Sequence, residues 1–201
     1  MKAPKPLILA IVGPNGSGKS TLREHLLADS PLPFINADEI AKDLKIDSYA
    51  AAAIAKEKRE QLFHNRKSFS FETVLSDPVG DKVSFLTTAR ESGYFVNVHF
   101  ITLPSADFSR ARVMQRVQEG GHDVPDEKIE ARFPRILTNL KRLLGQVDEL
   151  VIYDNSSAEK PFRLIARFLS HDLIELSQTI PTYLDFLNLP AQKTPSTKIT
   201  A

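Results

Sequence analysis

Apolar and polar positions fall in blocks along the chain, and the blocks read as strands and helices taking turns. The unbroken apolar run at 7–12 has the length of a buried strand, a glycine-rich stretch follows at 13–18, and residues 19–28 carry the mixed pattern of a helix. A short strand is expected at 34–36, then a helix within 50–66, where an alanine-rich start favours helix. At 68–75 the period changes. Phe69, Phe71 and Thr73 alternate with Ser68, Ser70 and Glu72, the period of two of a strand, with Glu72 near its C-terminal end.

Residues 81–91 read as a helix closed by Gly93, and 94–103 as a long buried strand. Ser105 can cap the helix that follows, which runs to Glu119 and stops at Gly120 and Gly121. Pro125 with Asp126 and Glu127 opens another helix, because proline gives up only an unpaired donor there and acids suit the positive end. Its apolar positions Ile129, Phe133, Ile136, Leu140 and Leu143 recur at helical spacing, and Pro134 is expected to kink it. A strand at 149–153 ends at Asp154, and two weaker strands at 163–168 and 172–176 and a short helix at 182–187 follow. Strands alternating with helices imply right-handed crossovers and an α/β fold, a mainly parallel sheet covered on both faces, with ligands at the C-terminal strand ends.

A length of 201 residues accommodates one such domain, expected over 1–189, with a loose tail at 190–201 that has few large apolar residues to offset its ordering. The formal charge of +1 offers no broad field to draw in nucleic acid or an anionic membrane, so nucleic acid is not an expected partner and any anion must be captured locally. No cysteine is present, which removes disulfides, thiolate metal sites and cysteine nucleophiles and fits a reducing compartment, with cytoplasm as the default. The apolar run at 7–12 is far shorter than the roughly 20 residues of a membrane helix, so no membrane association is expected.

The chemistry is concentrated in Gly13-Pro14-Asn15-Gly16-Ser17-Gly18-Lys19-Ser20, a full match to G-x-x-x-x-G-K-[ST] lying between an apolar strand and a helix start. Glycines let backbone N–H groups converge on phosphate oxygens, and the helix N-terminus adds positive potential. Lys19 can reach the β and γ phosphates of ATP, Ser20 can hold Mg2+, and Thr21 completes the nucleotide-binding set. A three-layer P-loop NTPase fold with a helical lid is therefore expected. Neither the guanine-reading N-K-x-D motif of a GTPase nor the L-S-G-G-Q-like signature of an ABC cassette occurs, and a AAA-type motor needs more chain, which leaves a compact kinase.

Downstream, Asp38 follows the second strand and should face the same crevice, where a carboxylate can orient an acceptor hydroxyl and take its proton. It could equally cap the next helix, and Glu39 is an alternative carboxylate. Glu72 would suit a substrate hydroxyl or hydrated magnesium, or else face solvent on an edge strand; Thr73 is a weaker acceptor-site candidate beside it. Arg110, Arg112, Arg116, Arg132 and Arg135 bracket the Gly120-Gly121-His122 turn, as a lid closing arginines over a transferring phosphate would require, and Arg116 and Arg132 are the chosen pair. Lys128, Arg132, Arg135, Asn139 and Arg142 also form a helical stripe of the kind that usually faces solvent. His122 reads as turn-stabilising. Asp154 reads equally as the aspartate of a Walker B strand or as part of a nucleotide-side loop at 154–156.

In their order along the chain, GPNGSGKS, INADEI at 35–40, SFSFETVLS at 68–76, Arg116 with GGHDVP at 120–125, Arg132 and YDNS at 153–156 resemble the zeta toxin family of P-loop kinases. The resemblance implies a fold related to shikimate and nucleotide kinases, Asp38 as catalytic base, Glu72 in the acceptor site, and Arg116 and Arg132 on the phosphates. It also implies UDP-N-acetylglucosamine as an acceptor and an antitoxin as a protein partner. A kinase for a nucleoside, a small sugar or a nucleic-acid 5′ end is the competing enzyme; an ATP-dependent switch is the competing binding module, and it would need no base at Asp38.

Overall fold

The computed structural model describes residues 4–28 and 30–190. Its first strand, β1 (Leu7–Val12), buries five of its six side chains, which the all-apolar run requires of a central strand. Around it seven strands form one sheet in the order β2-β3-β1-β4-β5-β6-β7, where β2 is Phe34–Ile35, β3 Phe69–Thr73, β4 Phe95–Thr102, β5 Glu149–Asp154, β6 Arg163–Leu169 and β7 Asp172–Leu176. The first five are parallel. The last two, joined by a short turn, add antiparallel strands at one edge.

The helices are α1 (Lys19–Leu27), α2 (Ala37–Leu44), α3 (Ser48–His64), α4 (Asp81–Glu91), α5 (Ala106–Gln118) and α6 (Asp126–Leu143), followed by a 3-10 turn at Thr182–Leu187. Ser105 caps α5 by accepting from Phe108 N at 3.1 Å. Helix α6 continues past Pro134 to Leu143 and buries Ile129, Phe133, Ile136, Leu140 and Leu143, the expected apolar stripe. Helix α2 has no counterpart among the sequence-based elements. It is only eight residues long, and Asn36 starts it by accepting from Asp38 N at 2.8 Å.

Cover on the two faces of the sheet is unequal. The main core lies on one face, where Phe69 and Phe71 meet Leu86 of α4, Ala51 and Ala55 of α3, and Ile136 and Leu140 of α6. The other face holds a small cluster of Leu9, Ile11, Leu22 and Ile101. Beside it His99 stacks on Tyr153 and bonds its hydroxyl at 3.0 Å. Burial and the charge of Arg167 push His99 down to about 4, so it is neutral in the folded protein. Apart from Pro190, the expected tail at 190–201 lies outside the described residues. No described helix is long and apolar enough to cross a membrane.

Candidate active site

Register delivers separate parts of the chain to one place. Ile11 pairs with Glu72 and Val12 with Thr73, so the loop after β1 and the end of β3 emerge side by side. The loop reverses through Gly16 and Gly18, at φ +69° and +90°. A Cβ on Gly18 would lie 2.8 Å from Asn155 Nδ2, and one on Gly16 would lie 2.9 Å from Arg112 Cβ, so space as well as conformation requires glycine. Two neighbours brace the loop from outside: Ser109 Oγ donates to Asn15 O at 2.6 Å and Asn155 Nδ2 donates to Ser17 O at 2.9 Å. Inside it, Ser17 N donates to Pro14 O at 3.2 Å. Ser17 Oγ is buried and finds no hydrogen-bond partner among the described residues.

Lys19 is 8% exposed, unusual for an ammonium group. Its Nζ donates to Pro14 O at 3.0 Å and stands 3.9 Å from Glu72 Oε1. Burial pushes Lys19 below the usual lysine range; Glu72 and then Asp38 oppose this, and Arg116 and Arg132 push the same way as burial. The charged residues Asp38, Glu72, Arg116 and Arg132 therefore all lie within electrostatic reach of Lys19. Glu72 is raised by burial and by Asp38, against the pull of Lys19 and Ser20. Both partners move toward neutrality, so their mutual attraction does not compensate for burial.

Glu72 does not lie on an edge strand facing solvent, because β3 sits between β2 and β1 and the carboxylate is buried. Ser20 Oγ donates to Glu72 Oε2 at 3.4 Å. Thr73 instead accepts from Leu75 N through Oγ1 at 3.3 Å. Thr21 is exposed on α1 beside this group.

The geometry separates Asp38 from its alternatives. The capping role belongs to Asn36, and Glu39 is engaged by Arg23 at 2.6 Å. Asp38 is exposed, and among the described residues no hydrogen bond or ion pair occupies its carboxylate. It stands at the rim of the group around Lys19 and is free to meet a ligand.

The arginines divide by task. Arg110 is held by Asp107 at 2.9 Å, Asp126 at 3.3 Å and also Glu130, tying α5 to α6. Arg112 stacks over Phe108. Arg116 donates through Nη2 to His122 O, so His122 steadies the turn through its carbonyl. Arg116 Nε is buried and has no hydrogen-bond partner among the described residues. Asp154 accepts from Tyr183 at 2.7 Å, Arg163 at 2.9 Å and Ser156 N at 2.9 Å. Burial pushes Asp154 up, but these donors outweigh it and hold it below the usual carboxylate range. Asp154 thus ties β5 to β6 and to the 3-10 turn through Arg163 and Tyr183, while its neighbour Asn155 contacts the phosphate loop, in keeping with the reading of 154–156 as a nucleotide-side loop.

The family model described as Zeta toxin matches residues 47–163, a span that includes Glu72, Thr73, Arg116 and Arg132 but not the loop at 13–20 or Asp38. An uncharacterized protein of Haemophilus influenzae is 32% identical over 126 residues, 60% of this chain and 88% of the relative. A chain from the PezAT chromosomal toxin-antitoxin system of Streptococcus pneumoniae superposes with a TM-score of 0.58 at 16% identity, covering 83% of this chain and 74% of that one. A candidate kinase of Chloroflexus aurantiacus gives 0.55 at 17% identity, over 79% of this chain and 90% of that one. At such identities the structural likeness speaks for the P-loop fold alone.

Proposed function

The chain belongs to the zeta toxin family, and on that premise we propose that it is a P-loop kinase that moves the γ-phosphate of ATP onto a hydroxyl of a small molecule. The observation that carries this is the buried Lys19 of a complete phosphate loop, its ammonium 3.9 Å from the Glu72 carboxylate that Ser20 also reaches.

The residues fit ATP and Mg2+. The loop is a backbone cradle in which a Cβ at Gly16 or Gly18 would clash, and its buried Ser17 hydroxyl lacks a partner. Ser20, with Glu72 behind it, and phosphate oxygens would hold the ion. When bound, Mg2+ would supply charge neutralisation to the phosphates. Lys19 would leave Pro14 O for the phosphate oxygens, and the N-terminus of α1 would add positive potential there. Asp38 would accept the acceptor's hydroxyl proton as the oxygen bonds to the γ phosphorus and the bond to ADP breaks. Arg116 and Arg132, carried by α5 and α6, would offset the charge spread over the transferring group.

A UDP-sugar such as UDP-N-acetylglucosamine is the acceptor proposed, on the strength of the family. An antitoxin protein is the partner proposed, supported by the likeness to a chain from a toxin-antitoxin system. A nucleotide-dependent switch is the weaker account, since it gives Asp38 no task. With Mg-ATP and UDP-N-acetylglucosamine, mass spectrometry should find one added phosphate, and Asp38→Asn should lower the rate about 10²-fold or more while Mg-ATP binding is nearly unchanged. Equal rates in the two proteins would remove Asp38 from the chemistry.

A further inference from the structure

Helix α2 carries Asp38, yet little of the fold fixes its place. It has eight residues, of which Ile40 alone is buried, with Ala37 and Ala41 half-buried beside it. It follows β2, a strand of two residues at the edge of the sheet that pairs only with β3, Phe34 with Ser70 and Ile35 with Phe71. So short a ladder and so small a buried face mark an element that shifts readily against its neighbours.

One side chain bridges this element to the helix of the phosphate loop. Arg23 lies on α1 three residues after Ser20, so the two share a helix face. That face turns toward Glu72: burial raises Glu72, and Arg23 is among the charges that oppose it. The Arg23 guanidinium lies over the Phe34 ring, 4.4 Å from its centroid, and Nη1 donates to Glu39 Oε1 at 2.6 Å. Stacking combined with a directed hydrogen bond suits a planar guanidinium better than an ammonium. Phe34 precedes α2 and Glu39 lies in its first turn, so the two contacts bracket Asp38 in the chain.

We propose that Arg23 is a positioning residue: by gripping Phe34 and Glu39 on either side of Asp38, it sets the distance between that carboxylate and the phosphate loop. The inference rests on the kinase reading for what Asp38 does, whereas the grip on α2 is a property of the fold. Energetics separate this role from a stabilising one. The side chains of Arg23 and Glu39 are 27% and 50% exposed, and an ion pair so open to solvent adds little to stability. A reacting group displaced by about 1 Å can nonetheless lose about 10²-fold in rate. Asn36 still caps α2 through Asp38 N when Arg23 is gone, so the helix itself survives. Loss of Arg23 therefore costs rate far more than it costs fold.

The test compares the full-length wild type with Arg23→Met, which keeps an unbranched chain against Phe34 but removes the charge and the donors, and with Arg23→Lys. Hydrogen exchange at 37–44 reports the grip. Steady-state transfer from γ-labelled ATP, to UDP-N-acetylglucosamine or to whichever compound a metabolite extract yields, reports its use. In Arg23→Met, exchange in α2 should quicken about tenfold while α3 is unchanged. Its kcat should fall about tenfold, with KM for Mg-ATP and the melting temperature nearly unchanged. Arg23→Lys should lose less, and Glu39→Gln, which releases the same grip from the other end, should reproduce the fall in kcat. Unchanged exchange in α2 overturns the proposal, as does faster exchange with undiminished kcat. A melting temperature that drops along with the rate makes Arg23 a structural residue and overturns it too. Faster α2 exchange in Arg23→Met, with no transfer by the wild type to any acceptor, leaves the grip standing and removes the kinase reading; transfer by the wild type with unchanged exchange and rate in the variant does the reverse.

Discussion

At the scale of residues, what distinguishes Asp38 from Glu39 is a partner and not a position. The sequence sets two carboxylates side by side, and only the fold shows Arg23 taking Glu39 and Asn36 taking the cap. Spacing in the chain carries no information about which long side chain swings onto which neighbour. The alternation of 68–75, by contrast, is enough to put Glu72 on the opposite face from Phe69 and Phe71, because a strand's period of two leaves no choice. His99 was invisible for the same reason Glu39 was, since its partner Tyr153 lies 54 residues away. Its shift has a definite sign. A folded-state value near 4 against an ordinary 6.5 means that the unfolded chain binds the proton first, so stability falls as pH drops from 6.5 toward 4. The loss should approach roughly 2–3 kcal/mol. Urea midpoints for wild type and His99→Gln at pH 7 and pH 4.5 measure it, and the variant should lose distinctly less on acidification. An equal loss in both proteins would assign the acid limb to other groups.

At the scale of elements, the phosphate loop is legible from its own residues, and the turn at 154–156 reads as lying beside it, but the side chains that brace the loop are not legible. The motif announces glycines, a lysine and a serine; the braces come from α5 and from the turn after β5, through Ser109 and Asn155. Asn155 joins Ser17 O to Phe162 N, so it positions the loop. Asn155→Ala should therefore weaken Mg-ATP binding by about tenfold, the scale of one buried hydrogen bond with its unpaired remainder. Calorimetry checks this, and unchanged affinity would mean that the loop holds its shape unaided. Helix α2 was missed because eight residues carry too little periodicity to register, whereas α6 shows its apolar stripe over 18 residues. The polar stripe of α6 was harder to interpret. Periodicity shows that Arg132, Arg135 and Asn139 share a face, and only the fold shows that Asn139 is buried on it against the β3–α4 connection while Arg135 stays exposed.

At the scale of the whole molecule, the sequence pattern specifies alternating layers but not strand order. Placing β3 between β2 and β1 is what brings Glu72 beside Lys19, and that pairing spans 53 positions of chain. The unequal cover of the sheet was likewise hidden, because an apolar strand looks the same whether a helix or a partner side chain covers it. The function proposed for the assembled molecule is phosphoryl transfer from a lysine-centred site to a hydroxyl. The most direct measurement incubates the protein with γ-labelled ATP, Mg2+ and a bacterial metabolite extract, and follows the label by chromatography and mass spectrometry. The wild type should move label onto a hydroxyl-bearing small molecule, and Lys19→Ala should abolish that product. Tight Mg-ATP binding with label appearing in no compound but ATP and inorganic phosphate would contradict the assignment.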